Sequence, residues 1–324
     1  MSQIAGKESQ SIFEPLDSRE VFGFDTPWPV HRFTETTEYV PAVDDEFRLV
    51  EAVARPVLAG FMHDRKVYVH GPHGSGKSSH IEQIAARLNW GCVRVNLDGH
   101  VTRADLIGRD MIVLRDGKQV TEFVPGILVW ALERPVAVIF DEFDAGRPDV
   151  MFVIQRVLEA EGKLTLLDQN RVITPHPGFR LFATANTAGQ GDSSGLYAGT
   201  QALNQAQMDR WQLIVELGYL PEDQELDILG ARLPSLDKEL GRRMVRLASL
   251  SRTAFQQGDL SSFLSLRTLI IWGENMRLVD SPSDAFRLSF MNRCDPLDRQ
   301  LLAEFYQRCF DEELLVEDHG TALY

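Results

Sequence analysis

Three observations predict an α/β fold in which a parallel sheet is sandwiched by helices and followed by a smaller helical lid domain. Short apolar runs alternate with helix-period segments through the first two thirds of the chain. The first buried run opens into a glycine-rich loop that leads directly into a helix. Beyond residue 220 the strand-like runs stop and only helical periods remain. The division expected is an N-terminal arm over 1–40, an α/β domain over 41–220 and a helical lid over 221–324, which suits a chain of 324 residues.

Residues 1–40 are polar, carry Pro15, Pro27 and Pro29, and hold no sustained period, so an extended or partly ordered arm is expected there. Between 44 and 62, Phe47, Val50, Val53, Ala54, Val57, Leu58 and Phe61 recur at three and four residues, the spacing of an amphipathic helix with Pro56 as a kink. A strand at 66–70, the glycine loop, and a helix with Ile81, Ile84, Ala85 and Leu88 on one face come next. Apolar runs at 92–97, 136–140 and 180–185 suit buried parallel strands, and 213–217 is strand-like. Two hairpins are expected between them. The first pairs 111–114 with 119–124 across Arg115-Asp116-Gly117-Lys118, and the second pairs 163–167 with 171–174 around Asp168-Gln169-Asn170. Both a pore- or partner-facing role and a plain surface role stay open for these hairpins. The lid pattern gives helices at 221–232, 236–257, 265–279 and 296–310, broken at Pro234, Gly258-Asp259 and Ser281-Pro282.

A hydrophobic fraction of 44% with 25% charged residues is that of an ordinary globular protein. The 47 acidic against 33 basic residues give a net charge of −14, which repels phosphate backbones and makes nucleic acid a poor default partner. Cys92, Cys294 and Cys309 form no metal or disulfide spacing and read as buried thiols in a reducing compartment. Neither a leader pattern nor an apolar run of about 18 residues is present, so a cytoplasmic location without membrane contact is expected.

The chemistry is carried by Gly71-Pro72-His73-Gly74-Ser75-Gly76-Lys77-Ser78, a complete G-x-x-x-x-G-K-[ST] loop between a strand and a helix, continued by Ser79. Its glycines permit successive amides to point at phosphate oxygens, Lys77 neutralises the β- and γ-phosphates, Ser78 ligands Mg²⁺, and the helix N-terminus adds partial positive charge. ATP and Mg²⁺ are the cofactors implied. A chance glycine turn is the bland reading, and a second motif opposes it. Val136-Ala137-Val138-Ile139-Phe140-Asp141-Glu142 is an apolar strand ending in two carboxylates, the Walker B arrangement. Asp141 would hold Mg²⁺ and Glu142 would polarise the attacking water.

Three further residues are candidates. Asn186 ends Phe182-Ala183-Thr184-Ala185-Asn186, where its amide can orient the lytic water, although an isolated Asn more often starts a turn. Arg210, in Gln207-Met208-Asp209-Arg210-Trp211, is a candidate arginine finger whose bland counterpart is a surface ion pair with Asp209 or Glu216. Arg267, in Ser265-Leu266-Arg267, is placed to reach nucleotide from the lid, or else is a solvated arginine after a capping serine.

Together these residues resemble the AAA+ ATPases of the MoxR-like, helix-2-insert group, over about residues 40–300. More narrowly, Pro72-His73-Gly74-Ser75-Gly76 and Met208-Asp209-Arg210-Trp211 are similar to the CobS-type ATPase subunits of aerobic cobaltochelatase; the wider group more often has Leu-Asp-Arg-Phe at the second site. The resemblance implies a homo-oligomeric ring, expected to be a hexamer, with Asn186 as sensor 1, Arg210 as a finger acting in trans and Arg267 as sensor 2. It implies ATP-driven insertion of Co²⁺ into hydrogenobyrinic acid a,c-diamide in aerobic cobalamin biosynthesis. The partners implied are a CobT-like adhesion-domain subunit and a CobN-like large chelatase subunit. This chain lacks the D-x-S-x-S metal motif, since Asp192-Ser193-Ser194 is followed by Gly195-Leu196, so the adhesion domain is expected on another chain. A MoxR-type chaperone for another metalloenzyme, a nucleic-acid-remodelling motor and an inactive scaffold are the alternatives. The negative charge opposes the motor, and intact Lys77, Asp141 and Glu142 oppose the scaffold.

Overall fold

A computed structural model describes residues 12–191, 199–279 and 281–315; Asp192-Ser193-Ser194-Gly195-Leu196 lies outside them. The chain begins with β1 (Phe13–Leu16), α1 (Ser18–Phe22) and β2 (Val30–Phe33), then α2 (Glu51–His63), β3 (Val67–His70), α3 (Lys77–Arg87) and β4 (Gly91–Asn96). It continues through α4 (Arg103–Ile107), β5 (Gly108–Arg115), β6 (Lys118–Pro125), α5 (Ile127–Leu132), β7 (Val136–Asp141) and α6 (Pro148–Leu158). Next come β8 (Leu164–Leu166), β9 (Arg171–Ile173), β10 (Arg180–Ala185), α7 (Gln205–Met208) and β11 (Leu213–Glu216). The helices α8 (Glu222–Arg232), α9 (Lys238–Gln257), α10 (Leu266–Asn275), α11 (Pro282–Ser289) and α12 (Pro296–Phe310) follow.

Five strands form one parallel sheet in the order β11-β3-β10-β7-β4. Because side chains alternate across a strand, β7 feeds two cores at once. Val136, Val138 and Phe140 pack with α4, α5 and α6, whereas Ala137 and Ile139 pack with α2 and α3 on the other face. Both β7 and β10 are buried along their whole length, which explains their uninterrupted apolar sequences. The carboxyl ends of β3, β7 and β10 therefore emerge side by side, each carrying a motif residue out of a rigid layer.

The N-terminal expectation needs correction. Residues 13–33 are not an extended arm: β1 and β2 pair antiparallel, with Phe13 opposite Phe33 and Leu16 opposite Val30. Phe22, Phe24 and Val30 are buried, and the Phe33 ring meets Trp90 edge-on at 4.5 Å. Four-residue strands separated by a one-turn helix are too short to register as a period. The expected helix from 44 starts only at Glu51, because residues 44–50 form a turn and an irregular segment tied to side chains of α3. The Asp44 amide donates to Gln83 Oε1 at 2.8 Å, and the Val50 amide donates to His80 Nε2 at 3.1 Å. Since that nitrogen accepts, His80 carries its proton on Nδ1 and donates to Gly76 O at 2.8 Å.

The two hairpins form as β5–β6 and β8–β9, the first longer than expected and flanked by the short helices α4 and α5. In the helical region, α11 lies where a loop was expected. Ser281 caps it and Pro282 occupies its first turn, so Ser-Pro here starts a helix rather than breaking one. An aromatic group of Trp272, Phe286, Tyr306 and Phe310 fills this core, with Tyr306 and Phe310 stacked at 4.3 Å. Cys294 is buried, while Cys92 and Cys309 are only partly so. Among the described residues no helix is long and apolar enough to cross a membrane.

Candidate active site

The glycine loop leaves β3 in a space that excludes side chains. Gly71 has φ 149°, and a Cβ on it would lie 2.0 Å from Leu217 O, while its amide donates to Ala185 O at 3.2 Å. At Gly74, φ 76°, a Cβ would meet the Ser265 Cβ of the lid at 2.7 Å. The loop is thus wedged between β10, β11 and α10, and only glycine fits at either position. α3 begins at Lys77 with Gly76 as its cap and no side-chain bond to its first amides, which leaves them facing the cleft as donors.

Lys77 Nζ donates to Gly71 O at 2.8 Å, Pro72 O at 3.0 Å and Asn186 Oδ1 at 3.1 Å. Burial lowers the Lys77 ammonium from 10.5 to about 8, against the opposing pull of Asp144, Asp141 and Glu142. A buried cation thus sits at the loop's centre with donors already aligned.

Ser78 Oγ donates to Asp141 Oδ1 at 2.5 Å, and the buried Thr184 hydroxyl donates to the same oxygen. Arg94 of β4 binds the other carboxylate oxygen, from Nε at 2.8 Å and also from Nη2. A hydroxyl and a carboxylate converging beside the phosphate loop are hard oxygen donors, the set that suits Mg²⁺ with part of its water shell retained. Glu142 follows in a left-handed conformation, φ 54°, which turns its half-buried side chain away from the strand and into the cleft.

Asp144, fully buried, accepts at Oδ2 from the amides of Asn186 and Thr187, at 3.1 and 2.9 Å, and from the Thr187 hydroxyl at 2.9 Å. It pins the chain where β10 ends, and so fixes the Asn186 amide group between Lys77 and open cleft. Sequence reasoning missed Arg94, Asp144 and Thr184. Asp144 had a faint signal, a second acid in the same Asp141-Glu142-Phe143-Asp144 run. Arg94 had another, a charge in the middle of an expected buried strand.

A cleft of about 510 Å³ gathers His73, Gly74, Gly76, Lys77, Ser78, Ser79, Asp141, Glu142, Asn186 and Arg267, together with Arg94, Asn96 and Thr184. Gly71 and Pro72 bound it through their carbonyls, and Ser75 faces a second cavity of about 360 Å³ on the other side of the loop. Phe47, His80, Ile228 and Ile270 wall that second cavity, beside the Arg232–Glu46 ion pair at 3.2 Å. Ser265 does cap α10 and Arg267 is exposed, yet its side chain lines the nucleotide-sized cleft from the lid side. Arg293 enters a neighbouring cavity with His73, Asn186 and Arg267.

Arg210 is not brought to this cleft. Its Nε and Nη2 bind Glu159 Oε1 at 2.8 and 2.7 Å, and its Nη1 donates to Ala206 O, so the intrachain partner is neither Asp209 nor Glu216.

A family model described as AAA domain (dynein-related subfamily) matches residues 66–202. The chain is 57% identical over 303 residues to Aerobic cobaltochelatase subunit CobS of Sinorhizobium sp, across 92% of this chain and 91% of that protein. It is 30% identical over 255 residues to Midasin of Dictyostelium discoideum, across 77% of this chain but only 4% of that much longer one. Among solved structures, the Thermotoga maritima RuvB Holliday junction branch migration motor aligns with a TM-score of 0.50 at 15% identity, covering 77% of this chain and 72% of that one, a likeness of fold alone.

Proposed function

The chain belongs to the CobS family of AAA+ ATPases, and on that footing we propose that it hydrolyses ATP as the ATPase subunit of an aerobic cobaltochelatase. The activity served is ATP-dependent insertion of cobalt into hydrogenobyrinic acid a,c-diamide in aerobic cobalamin biosynthesis. One observation carries the catalytic half of this reading: Lys77, the Ser78–Asp141 pair, Glu142 and Asn186 converge on one cleft from three adjacent strand ends. The likeness over nine tenths of both chains supports the chelatase half against a chaperone for some other metalloenzyme.

In this mechanism the phosphates lie along the amides of residues 71–79 at the N-terminus of α3, and the base enters the apolar cavity beside Phe47 and Ile228. Lys77 exchanges its bonds to the Gly71 and Pro72 carbonyls for phosphate oxygens. Ser78 and Asp141 would hold Mg²⁺, which when bound would offset the negative charge of the phosphates. Glu142 takes the proton of the attacking water, and Asn186, held by Asp144, orients that water. Arg267 contacts nucleotide from the lid, and Arg210 acts on the γ-phosphate of the neighbouring subunit in a cytoplasmic homo-oligomeric ring, taken to be a hexamer. Residues 41–220 form the nucleotide-binding domain and 221–324 the lid. The metal-adhesion domain and the corrin site lie on CobT-like and CobN-like subunits.

The deciding experiment is cobalt insertion into the corrin precursor by purified partner subunits, with and without this chain and ATP. Insertion that requires both supports the reading. Insertion at an unchanged rate without this chain overturns the chelatase assignment, even if ATP hydrolysis by the isolated chain stands.

A further inference from the structure

The lid carries an arginine-lined groove on a molecule whose net charge is −14. α9 is amphipathic: Met244, Val245, Leu247 and Ala248 face the lid core, which leaves Arg242, Arg243 and Arg246 on the outer side, 57%, 41% and 61% exposed. Arg308, in the last turn of α12, closes the groove from the opposite wall, with Leu250 and Cys309 between the two helices and a volume of about 370 Å³. None of its lining residues belongs to the nucleotide cleft or to the base cavity.

The intrachain carboxylates do not satisfy these guanidinium groups. Glu239 is shared between Arg242 at 3.1 Å and Arg243 at 3.9 Å, and Arg246 reaches Glu222 at 3.4 Å. Arg308 has no ion pair among the described residues and lies 5.9 Å from the Phe305 ring centroid. The pairs that exist are solvent-exposed and therefore weak and exchangeable. Burial raises the Cys309 thiol, while Arg246 and Arg308 both act in the opposite direction, so the two walls direct positive charge into the same space.

We propose that this groove is a docking site for a carboxylate-rich segment of a partner protein. Arginine forks suit carboxylates, and four of them spread over two helices match several acids in sequence rather than one enclosed anion. The surrounding negative field disfavours a nucleic-acid strand, whose charge extends well beyond a groove of this size. The site is independent of the ATPase reading, since it shares no residue with the catalytic cleft.

The test uses the full chain and three fluorescent probes: an Asp/Glu-rich peptide, its Asn/Gln counterpart, and single-stranded DNA of equal charge, followed by anisotropy at low and raised salt. The acidic peptide should bind, weaken with salt, and lose roughly tenfold or more in affinity when Arg242, Arg246 and Arg308 are all changed to Gln. Saturating ATP should not displace it. Because misfolding would also weaken binding, Glu239→Gln with Glu222→Gln supplies the opposite arm: freeing the guanidinium groups should tighten binding, which misfolding cannot do. Equal binding of the acidic and neutral peptides, unchanged affinity in the triple variant, displacement by inorganic phosphate alone, or stronger binding of DNA than of peptide would each overturn the proposal.

Discussion

Arg94 on β4 binds Asp141 on β7 through two of its nitrogens, both directed at Oδ2, which leaves Oδ1 to Ser78 and Thr184. The Walker B carboxylate therefore has one oxygen turned toward the phosphate loop and the other held by a cation. A fixed positive charge so close to the magnesium position opposes the metal's charge. Arg94→Gln is expected to lower the Mg²⁺ concentration needed for half-maximal nucleotide binding by roughly tenfold or less, the size left after screening at a partly exposed site. The check is titration of Mg²⁺ against a fluorescent ATP analogue. A higher Mg²⁺ requirement instead would mean that Arg94 acts by orienting Asp141.

Lys77→Ala should leave the loop in place, since the Gly71 amide still donates to Ala185 O and the Ser75 hydroxyl to Pro72 O. Nucleotide affinity should fall by about 2–5 kcal/mol, the usual cost of removing one partner of a buried charge pair. Isothermal titration with ATP and Mg²⁺ measures it. Wild-type affinity and turnover in this variant would remove the lysine from phosphate binding.

Glu142→Gln keeps size and hydrogen bonding but cannot accept the proton of water. Turnover should drop by about 10²–10⁴-fold with nucleotide affinity preserved. Single-turnover hydrolysis beside equilibrium binding separates the two. Loss of binding would point to a structural role for this left-handed residue.

Arg210→Ala should bind ATP nearly normally and hydrolyse it about 10³–10⁵ times more slowly if the guanidinium completes a neighbour's site. Loss of the partly exposed ion pair with Glu159 would cost only about 1 kcal/mol and leave the rate alone. Mixing Arg210→Ala with Glu142→Gln subunits should return some turnover, because some interfaces then hold an intact residue on each side. Normal hydrolysis by Arg210→Ala alone would sink the finger assignment. Glu159→Gln adds a control, since it releases Arg210 without removing it and should leave turnover largely intact.

In the lid, Arg252 Nη1 binds both oxygens of Glu225 at 2.8 and 2.9 Å, and its Nε donates to Leu264 O at 2.8 Å. The pair is almost wholly buried and ties α8 to α9. Arg252→Met should destabilise the lid by about 3–5 kcal/mol, because Glu225 is left as an unpaired buried acid, whereas replacing both residues by apolar ones should cost much less. Urea unfolding followed by lid tryptophan fluorescence reads the difference. Equal losses in the single and double variants would contradict it.

The phosphate loop and the Asp141-Glu142 strand end were legible in the sequence because each is contiguous, and its chemistry depends on local spacing. The parallel sheet was legible too, since burial on both faces leaves runs such as 136–140 and 180–185 without polar interruption. The N-terminal strands were not, because four residues are too few to establish a period and their apolar side chains matter only against Trp90 and α2. Only the tertiary structure decided that Arg94 holds Asp141 across 47 positions, that Asp144 fixes Asn186, and that Arg267 shares a cleft with Lys77 while Arg210 does not. Periodicity records which face of an element is buried. It carries no information about which distant side chain that face brings into reach, and ion pairs and composite cavities depend on that distance.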